Sequence, residues 1–330
     1  MHGLALRHLR CLLRIIPVLA LAVATVAHAQ AWPAAGKPVR VVVPFAPGGT
    51  TDLMARLLAQ QLAQSTGGQF VVDSKPGASG AIGSIEVARA APDGHTLLVT
   101  TSSTHSIAPA LSSQLRYDAV KDFTPIAHLG DSPLIILASP TVGVRSMAEL
   151  LELARKRPGY LNYTSSGVGT IAHLTFEALK AQTGVSMTHV PYKGTGAAIA
   201  DLTSGVVHLS LDAVATGVPH VTGGRLRGMA VTGPRRSQLA PDVPAVDETV
   251  PGFRVVTWFG LYGPRGMSPE LTRRIGDEVV KVLQSPEMTQ RLRTMGLDPG
   301  PTTPADFAAM VAADRERWSR LVSTLKIKVD

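Results

Sequence analysis

The sequence predicts an α/β protein of two lobes joined by two chain crossovers. Three observations carry that expectation. Short β-branched runs alternate with helical patterns along nearly the whole chain. Most of those runs end in a loop of Gly, Ser and Thr. Two strand-like segments, PLIILA at 133–138 and WFGLYG at 258–263, bracket a β/α stretch of about one domain's length. The expected lobes are therefore residues 32–132 with 256–330, and residues 133–255. The two crossings between them form a natural hinge.

The first 29 residues stand apart. Arg7, Arg10 and Arg14 come with no acid, a 12-residue apolar run follows at 15–26, and Ala27-His28-Ala29 closes the segment. That order describes a secretory signal peptide cut after Ala29, with an apolar core too short for a comfortable membrane span. Cys11, the single cysteine, leaves with it. The mature chain then has neither a disulfide nor a cysteine zinc site. Loss of three arginines leaves 29 basic against 24 acidic residues. No run of five or six Lys/Arg occurs, and aromatic residues make up 5%. A nucleic-acid groove needs clustered cations interleaved with rings, so no nucleic-acid partner is expected.

The elements follow in order. Residues 39–44 (VRVVVP) are a continuous β-branched run, as in a strand buried on both faces. The loop FAPGGTTD comes next. Leu53, Met54, Leu57, Leu58 and Leu62 then recur at helical spacing, with Thr50, Thr51 and Asp52 all suited to cap the helix. Gly67-Gly68 stops it. Residues 70–73 are a strand, 81–90 a helix and 96–100 (TLLVT) a strand, followed by TSST and a helix-like SIAPAL. In the second half, 161–164 is a strand, SSGVGT a loop and 171–182 a helix stopped by Gly184. Residues 188–191 are a strand, YKGTG a loop, 197–203 a helix, and 206–211 and 226–232 strands. Three helices, 269–283, 286–295 and 304–325, close the chain.

In open α/β sheets ligands sit beyond the carboxyl ends of the strands. The loops PFAPGGTTD, TTSST and SSGVGT lie at such ends and run into helix starts, where unpaired N–H groups and the positive dipole end favour an anion. Any one loop is explained by turn and capping chemistry alone. Three together point to a polar pocket for an anionic group such as a carboxylate.

Enzyme signatures are missing. There is no Gly-x-Ser-x-Gly elbow and no Walker A motif. GVGTIA at 167–172 matches a loose dinucleotide fingerprint, but no acid ends a second strand some 20 residues on. The histidines form no His-x-x-x-His pair, and no cofactor or metal is expected. His105 and His173 sit just inside helices that follow two of the loops. His173 either contacts a ligand or packs within its helix. Glu86 and Glu177 read as solvated helix faces. Asp212, at a strand end, either meets an amino group on a ligand or caps the next helix. Tyr192, Trp258 and Phe259 either stack on a ligand ring or pack the core, and burial favours packing.

The runs VRVVVPFAPGGTTDLMARLLA, KPGASGAIGSIEVARAAPDGHTLL, LNYTSSGVGTIAHL and HVPYKGTGAAIADLTSGVV resemble the Bug-type substrate-binding proteins of tripartite tricarboxylate transporters. The resemblance spans residues 38–321. It implies a two-lobed periplasmic-binding-protein fold (type II-like), each lobe a mixed or mostly parallel sheet flanked by helices. It implies a periplasmic receptor for a small organic carboxylate, catalysing nothing, that serves a membrane permease or a sensor, and a monomer is the default for a protein that must open and close. The second reading is a secreted α/β enzyme acting on a carboxylate, and the third a structural protein with a vestigial cleft. The carboxylate would be held by backbone amides and ordered water, with no arginine clamp. The residues implied are Phe45, Ala46, Gly48, Gly49, Thr50 and Asp52, then Ser165, Ser166, Gly167, Gly169 and Thr170. Thr101, Ser102, Ser103, His173 and Asp212 would line the rest. Ser165-Ser166 departs from the Gly-Ser or Ser-Pro pairs usual there.

Overall fold

The computed structural model describes residues 32–112, 114–165, 167–192, 195–300 and 302–327. The signal peptide at 1–29 and Ser166 therefore lie outside the described residues. The chain begins with β1 (Val39–Val43), α1 (Thr50–Thr66), β2 (Phe70–Ser74), α2 (Ala81–Ala88) and β3 (Thr96–Thr101). A π-helical turn (Ser103–Ile107) and the short α3 (Ala108–Leu111) lead to β4 (Phe123–Ala138). Next come α4 (Met147–Lys156), β5 (Asn162–Ser165), α5 (Ile171–Thr183), β6 (Thr188–Pro191), α6 (Thr195–Ser204), β7 (Leu209–Ala213), α7 (Val214–Thr222) and β8 (Arg227–Val231). The chain closes with β9 (Val256–Pro264), α8 (Pro269–Gln284), α9 (Pro286–Thr294), β10 (Asp298–Pro299) and α10 (Pro304–Leu325).

The strands follow the order β2-β1-β3-β9-β4-β7-β5-β6, with β8 and β10 also on β4. β1 is parallel to β2 and β3, and β5 is parallel to β6 and β7. The middle is antiparallel: β9 runs against β3 and β4, and β7 and β8 run against β4. The sheet is thus mixed α/β.

Continuous β-branched runs form strands here because both faces are covered. Val39, Val41 and Val43 face Met54, Leu58 and Leu62 of α1 and Ile275, Val279 and Leu283 of α8. Val42 and Leu98 face the other way, against Val87, Tyr262, Phe307 and Val311. In the second half, Leu134 and Ile136 meet Leu150 of α4 and Leu174 and Leu179 of α5. Ile135 and Leu137 meet Leu202 of α6 and Val214 of α7. Each such side chain contributes roughly 1.5–3 kcal/mol by leaving water. α10 serves both halves: Phe307 and Val311 pack on the first, Trp318 and Val322 in the core of the second.

β4 is longer than the strand expected at 133–138. It begins at Phe123, and its first half pairs with β9. Pro125 and Gly130 hide this part from a pattern reading, because both usually mark breaks. The ladder accommodates them through register shifts between Pro125 and Ala127 and between His128 and Gly130. Gly130 sits at φ 152°, where a Cβ would lie 2.7 Å from the Asp298 carbonyl oxygen.

Thr232 fastens the two chain crossings together. Its hydroxyl accepts from Leu134 N–H at 3.1 Å and donates to the Val255 carbonyl at 2.6 Å, and it is fully buried. Thr232→Val keeps the shape but strands both backbone groups, at about 1–3 kcal/mol each. The variant is expected to fold with an unchanged far-ultraviolet spectrum and to melt several degrees lower. An unchanged melting temperature would show that the tie carries no load.

Candidate functional site

Strand direction decides where the loops meet. β3 runs parallel in sense to β4, since both oppose β9, and its last residue Thr101 is level with Phe259, which pairs with Gly130. β7 runs the other way, and its last residue Ala213 pairs with Leu134. Carboxyl ends from the two halves therefore aim at one another along β4, at levels four residues, or about 13 Å, apart. β1 and β2 end beside β3, at the Val43–Ser74 pair, and β5 and β6 end beside β7, at the Ser165–Pro191 pair. This is the crevice where open α/β sheets place ligands.

On the first side, α1 starts at Gly49, and no side chain caps it. Thr50, Thr51 and Asp52 are inside the helix rather than at its cap. Asp52 is 2% exposed and ties the loop from within. Its Oδ2 accepts from Gly48 N–H at 3.0 Å and Arg56 Nε at 2.8 Å, and its Oδ1 from Arg56 Nη2 at 3.1 Å and the Ser74 hydroxyl at 2.9 Å. The Arg56 hydrogen bond, with the Gly48 and Ser74 bonds behind it, holds the carboxyl below its usual range against the cost of burial. Phe45 is half-buried and packs on the first core, while Ala46, Gly48, Gly49 and Thr50 are exposed. Thr101 and Ser102 are buried. The Thr101 hydroxyl accepts from Ser103 N–H at 3.3 Å, and Ser102 Oγ has no partner among the described residues.

A loop outside the expected residues joins these two. Gly77, Ala78, Ser79 and Gly80 all have positive φ (128°, 46°, 53° and 91°). For Ala78 and Ser79 that costs roughly 1–2 kcal/mol each, strain of the kind that clusters at ligand clamps. A Cβ on Gly80 would lie 2.6 Å from Thr104 Cγ2 and 3.5 Å from Pro44 Cβ, so glycine is required where the loops press together. The sequence signal was the Gly-Ala-Ser-Gly run itself.

On the second side, Ser165 and Thr170 fold their turn around the Gly167 carbonyl. Ser165 Oγ donates to it at 2.9 Å and Thr170 Oγ1 at 2.8 Å. Thr170 also caps α5, accepting from His173 N–H at 3.5 Å. His173 accepts from Gly169 N–H through Nδ1 at 3.1 Å. His189 reaches Ser165 Oγ at 2.7 Å and stacks on His173. Nothing in its sequence surroundings singles His189 out; only the β5–β6 pairing brings it here. Asp212 is half-buried and accepts from Ala213 N–H at 2.8 Å. It leaves the start of α7 without a side-chain cap.

Ser165 and His189 lie at the distance of a nucleophile and its base. Its hydroxyl lies within hydrogen-bond reach of both the Gly167 carbonyl and His189 Nε2, and either can take its proton. Ser165 is also 1% exposed. His105 is a packed core histidine among Tyr117, Phe123 and Tyr262, with burial driving its pKa down to about 3. Glu177 is no solvated face: it accepts from Tyr163 O–H at 2.5 Å and pairs with Lys180 at 2.6 Å. Glu86 pairs with Arg40. Trp258 and Phe259 are core, and Tyr192 donates to Asp201 at 2.6 Å. An open recess of ≈ 530 Å³ between Pro109, Arg116, Asp118 and Arg315 contains none of the loop residues. Among the described residues, no three His, Cys, Asp or Glu gather closely enough to hold a metal. No helix among the described residues is long and apolar enough to cross a membrane.

The sequence profile described as "Tripartite tricarboxylate transporter family receptor" matches residues 54–327. The chain belongs to this receptor family. BugT of Bordetella pertussis is 32% identical over 316 residues, covering 94% of this chain and 96% of that protein. Among solved structures, an R. palustris protein determined with adipate is 35% identical, covers 90% of this chain and 99% of its own, and has a TM-score of 0.76. MatC from Rhodopseudomonas palustris with bound malate is 32% identical (87% and 99% covered, TM-score 0.71). The periplasmic binding protein BugD is 31% identical (89% and 99% covered, TM-score 0.71).

In this member of the receptor family the Asp52 carboxylate is structural, and its removal has a signed pH dependence. A carboxyl with a depressed folded pKa stabilises above its unfolded pKa of about 3.9 and loses that contribution as pH falls through the folded value. Asp52→Ala is expected to lower the melting temperature at neutral pH, by about 1–3 kcal/mol of stability. The gap from wild type closes as the solution becomes acidic enough to protonate Asp52. A gap that persists unchanged in acid would mean packing, not charge, is what the residue supplies.

Proposed function

We propose that the protein is an exported receptor that captures a small organic carboxylate between its two halves and catalyses nothing. One observation carries this reading. α4, α5, α8, α9 and α10 are capped by Ser146, Thr170, Ser268, Ser285 and Thr303. α1, α2 and α7 start at Gly49, Gly80 and Ala213 with no side-chain cap, each just beyond a strand end that faces the crevice. Uncapped helix starts present free N–H groups and a positive dipole end, which suit an anion, although at α2 the Ala81 N–H is already taken by the Ala78 carbonyl. Two buried hydroxyls without a partner among the described residues, Ser102 Oγ and Thr164 Oγ1, sit at strand ends from opposite halves. Each costs about 1–3 kcal/mol unless a polar group meets it. Relatives solved with adipate and malate support a dicarboxylate.

The lobes are then residues 32–132 with 256–330, and 133–255, hinged at the crossings tied by Thr232. Ligand bridging both lobes stabilises the closed form by differential affinity. The contact set is Phe45, Ala46, Gly48, Gly49 and Thr50, Thr101–Ser103, Ser165–Gly167, Gly169, Thr170 and Asp212, with Asp52 and His173 shaping the loops from behind. The signal peptide is cut after Ala29, and the monomeric receptor hands its ligand to a membrane permease or a sensor.

Thr50→Pro tests the amide chemistry. Proline is well tolerated at the first helical position, and Gly49, at φ −74° and ψ 165°, has the extended conformation that precedes it. The change deletes one N–H and leaves α1 intact. Adipate and malate are expected to raise the melting temperature of wild type, and Thr50→Pro to weaken that binding about 10- to 100-fold. Undiminished affinity in the variant would remove the α1 amides from the site.

A further inference from the structure

The turn between Ser165 and Thr170 is shaped by two histidines, and their behaviour follows from where their protons sit. Gly169 N–H donates to His173 Nδ1 at 3.1 Å, so that nitrogen carries a lone pair and the ring proton is on Nε2. The Ser165 hydroxyl lies 2.9 Å from the Gly167 carbonyl and 2.7 Å from His189 Nε2, and it accepts from Gly167 N–H at 3.1 Å. The two imidazoles stack with centroids 4.2 Å apart. Both rings thus hold the turn in place, His173 by accepting from the Gly169 amide and His189 through the Ser165 hydroxyl.

The charged groups packed around the pair are Glu177 and Lys180, which act on it with opposite sign. Tyr163 of β5 stacks on His189 at 5.0 Å and on His173 at 6.4 Å. Its hydroxyl donates to Glu177 of α5, and Glu177 is paired with Lys180 on the same helix. The pull of the carboxylate on the rings is opposed by Lys180 and outweighed by burial. Burial pushes His173 below its ordinary value. Burial first, and the neighbouring His173 second, push His189 down to about 4.

We propose that this stacked pair is a proton-operated latch on the binding turn: with both rings neutral the turn holds its receiving shape, and a proton on His173 Nδ1 confronts Gly169 N–H donor to donor and releases it. The ligand consequence rests on the carboxylate reading of the crevice. The sign follows from linkage. A loosened turn leaves its histidines near the ordinary value of about 6.5, whereas the folded turn binds protons less readily. Acid below that value favours the loosened turn, and carboxylate affinity falls. An imidazolium simply attracting the anion would give the opposite slope.

Two measurements decide it. In the ligand-free protein the Gly169 amide resonance is followed by NMR from about pH 7.5 to pH 4.5, across the histidine range. It is expected to shift with acid in wild type and to stay fixed in His173→Asn, whose Oδ1 keeps an acceptor at the Nδ1 position but does not titrate. A Gly169 amide that ignores acid, or moves equally in the variant, overturns the latch. Calorimetric titration with adipate and malate over the same range reads the consequence. Wild-type affinity is expected to fall by up to about tenfold per pH unit below the midpoint, the limit for one linked proton. His173→Leu should weaken binding at every pH, and His173→Asn should recover much of that loss and flatten the profile. Affinity that rises with acid overturns the proposal. If neither dicarboxylate binds at any pH, the carboxylate reading fails, and the Gly169 amide still decides the latch.

Discussion

β4 belongs to both halves of the sheet, and the chemistry of the molecule depends on that constraint. A strand that pairs antiparallel with β9 in its first half and with β7 in its second forces the parallel strands of each half to point inward. Their carboxyl ends, and the helix starts that follow, then converge near residues 130–134. No binding residue needs to be charged for the crevice to be electropositive, because the peptide groups of α1, α2 and α7 supply the field. The chain at Leu134 and the chain at Val255 lie side by side and share one buried threonine hydroxyl.

The charged and titratable groups near the crevice act on its loops rather than as a clamp. Asp52 spends both oxygens on Gly48, Ser74 and Arg56. Glu177 spends its charge on Lys180 and Tyr163. His173 and His189 spend their ring nitrogens on Gly169 and Ser165. This arrangement pre-organises peptide N–H groups without adding a cation, which lowers the reorganisation cost of binding.

Much of the fold was legible because its strands are covered on both faces and write unbroken apolar runs. Val39 to Val43 and Thr96 to Thr101 fall within a residue or so of their expected places. The first part of β4 was not legible, since Pro125, Gly130 and Asp131 look like breakers until β9 and β10 pair with them. α7 hides behind Gly217 and Pro219, and Gly217 is there because a Cβ would lie 2.4 Å from Ile135 Cγ2. α4, in contrast, carries a plain Ser-x-x-Glu start with Met147, Leu150, Leu151 and Ala154 at core spacing, a signal that attention to strands and loops passes over. Of the crevice, the glycine-rich loops could be read from composition. His189 and the inward orientation of Asp52 could not, because both depend on which strand lies next to which.

In the proposed site peptide N–H groups at opposed helix starts receive the anion, and amide NMR reads such contacts directly. Isotope-labelled protein titrated with a dicarboxylate should show its largest downfield amide-proton shifts together at Gly49–Thr51 and at Val214 and its neighbours, the two sides saturating at one ligand concentration. Shifts confined to surface arginines, or to one side of the crevice alone, would contradict the account.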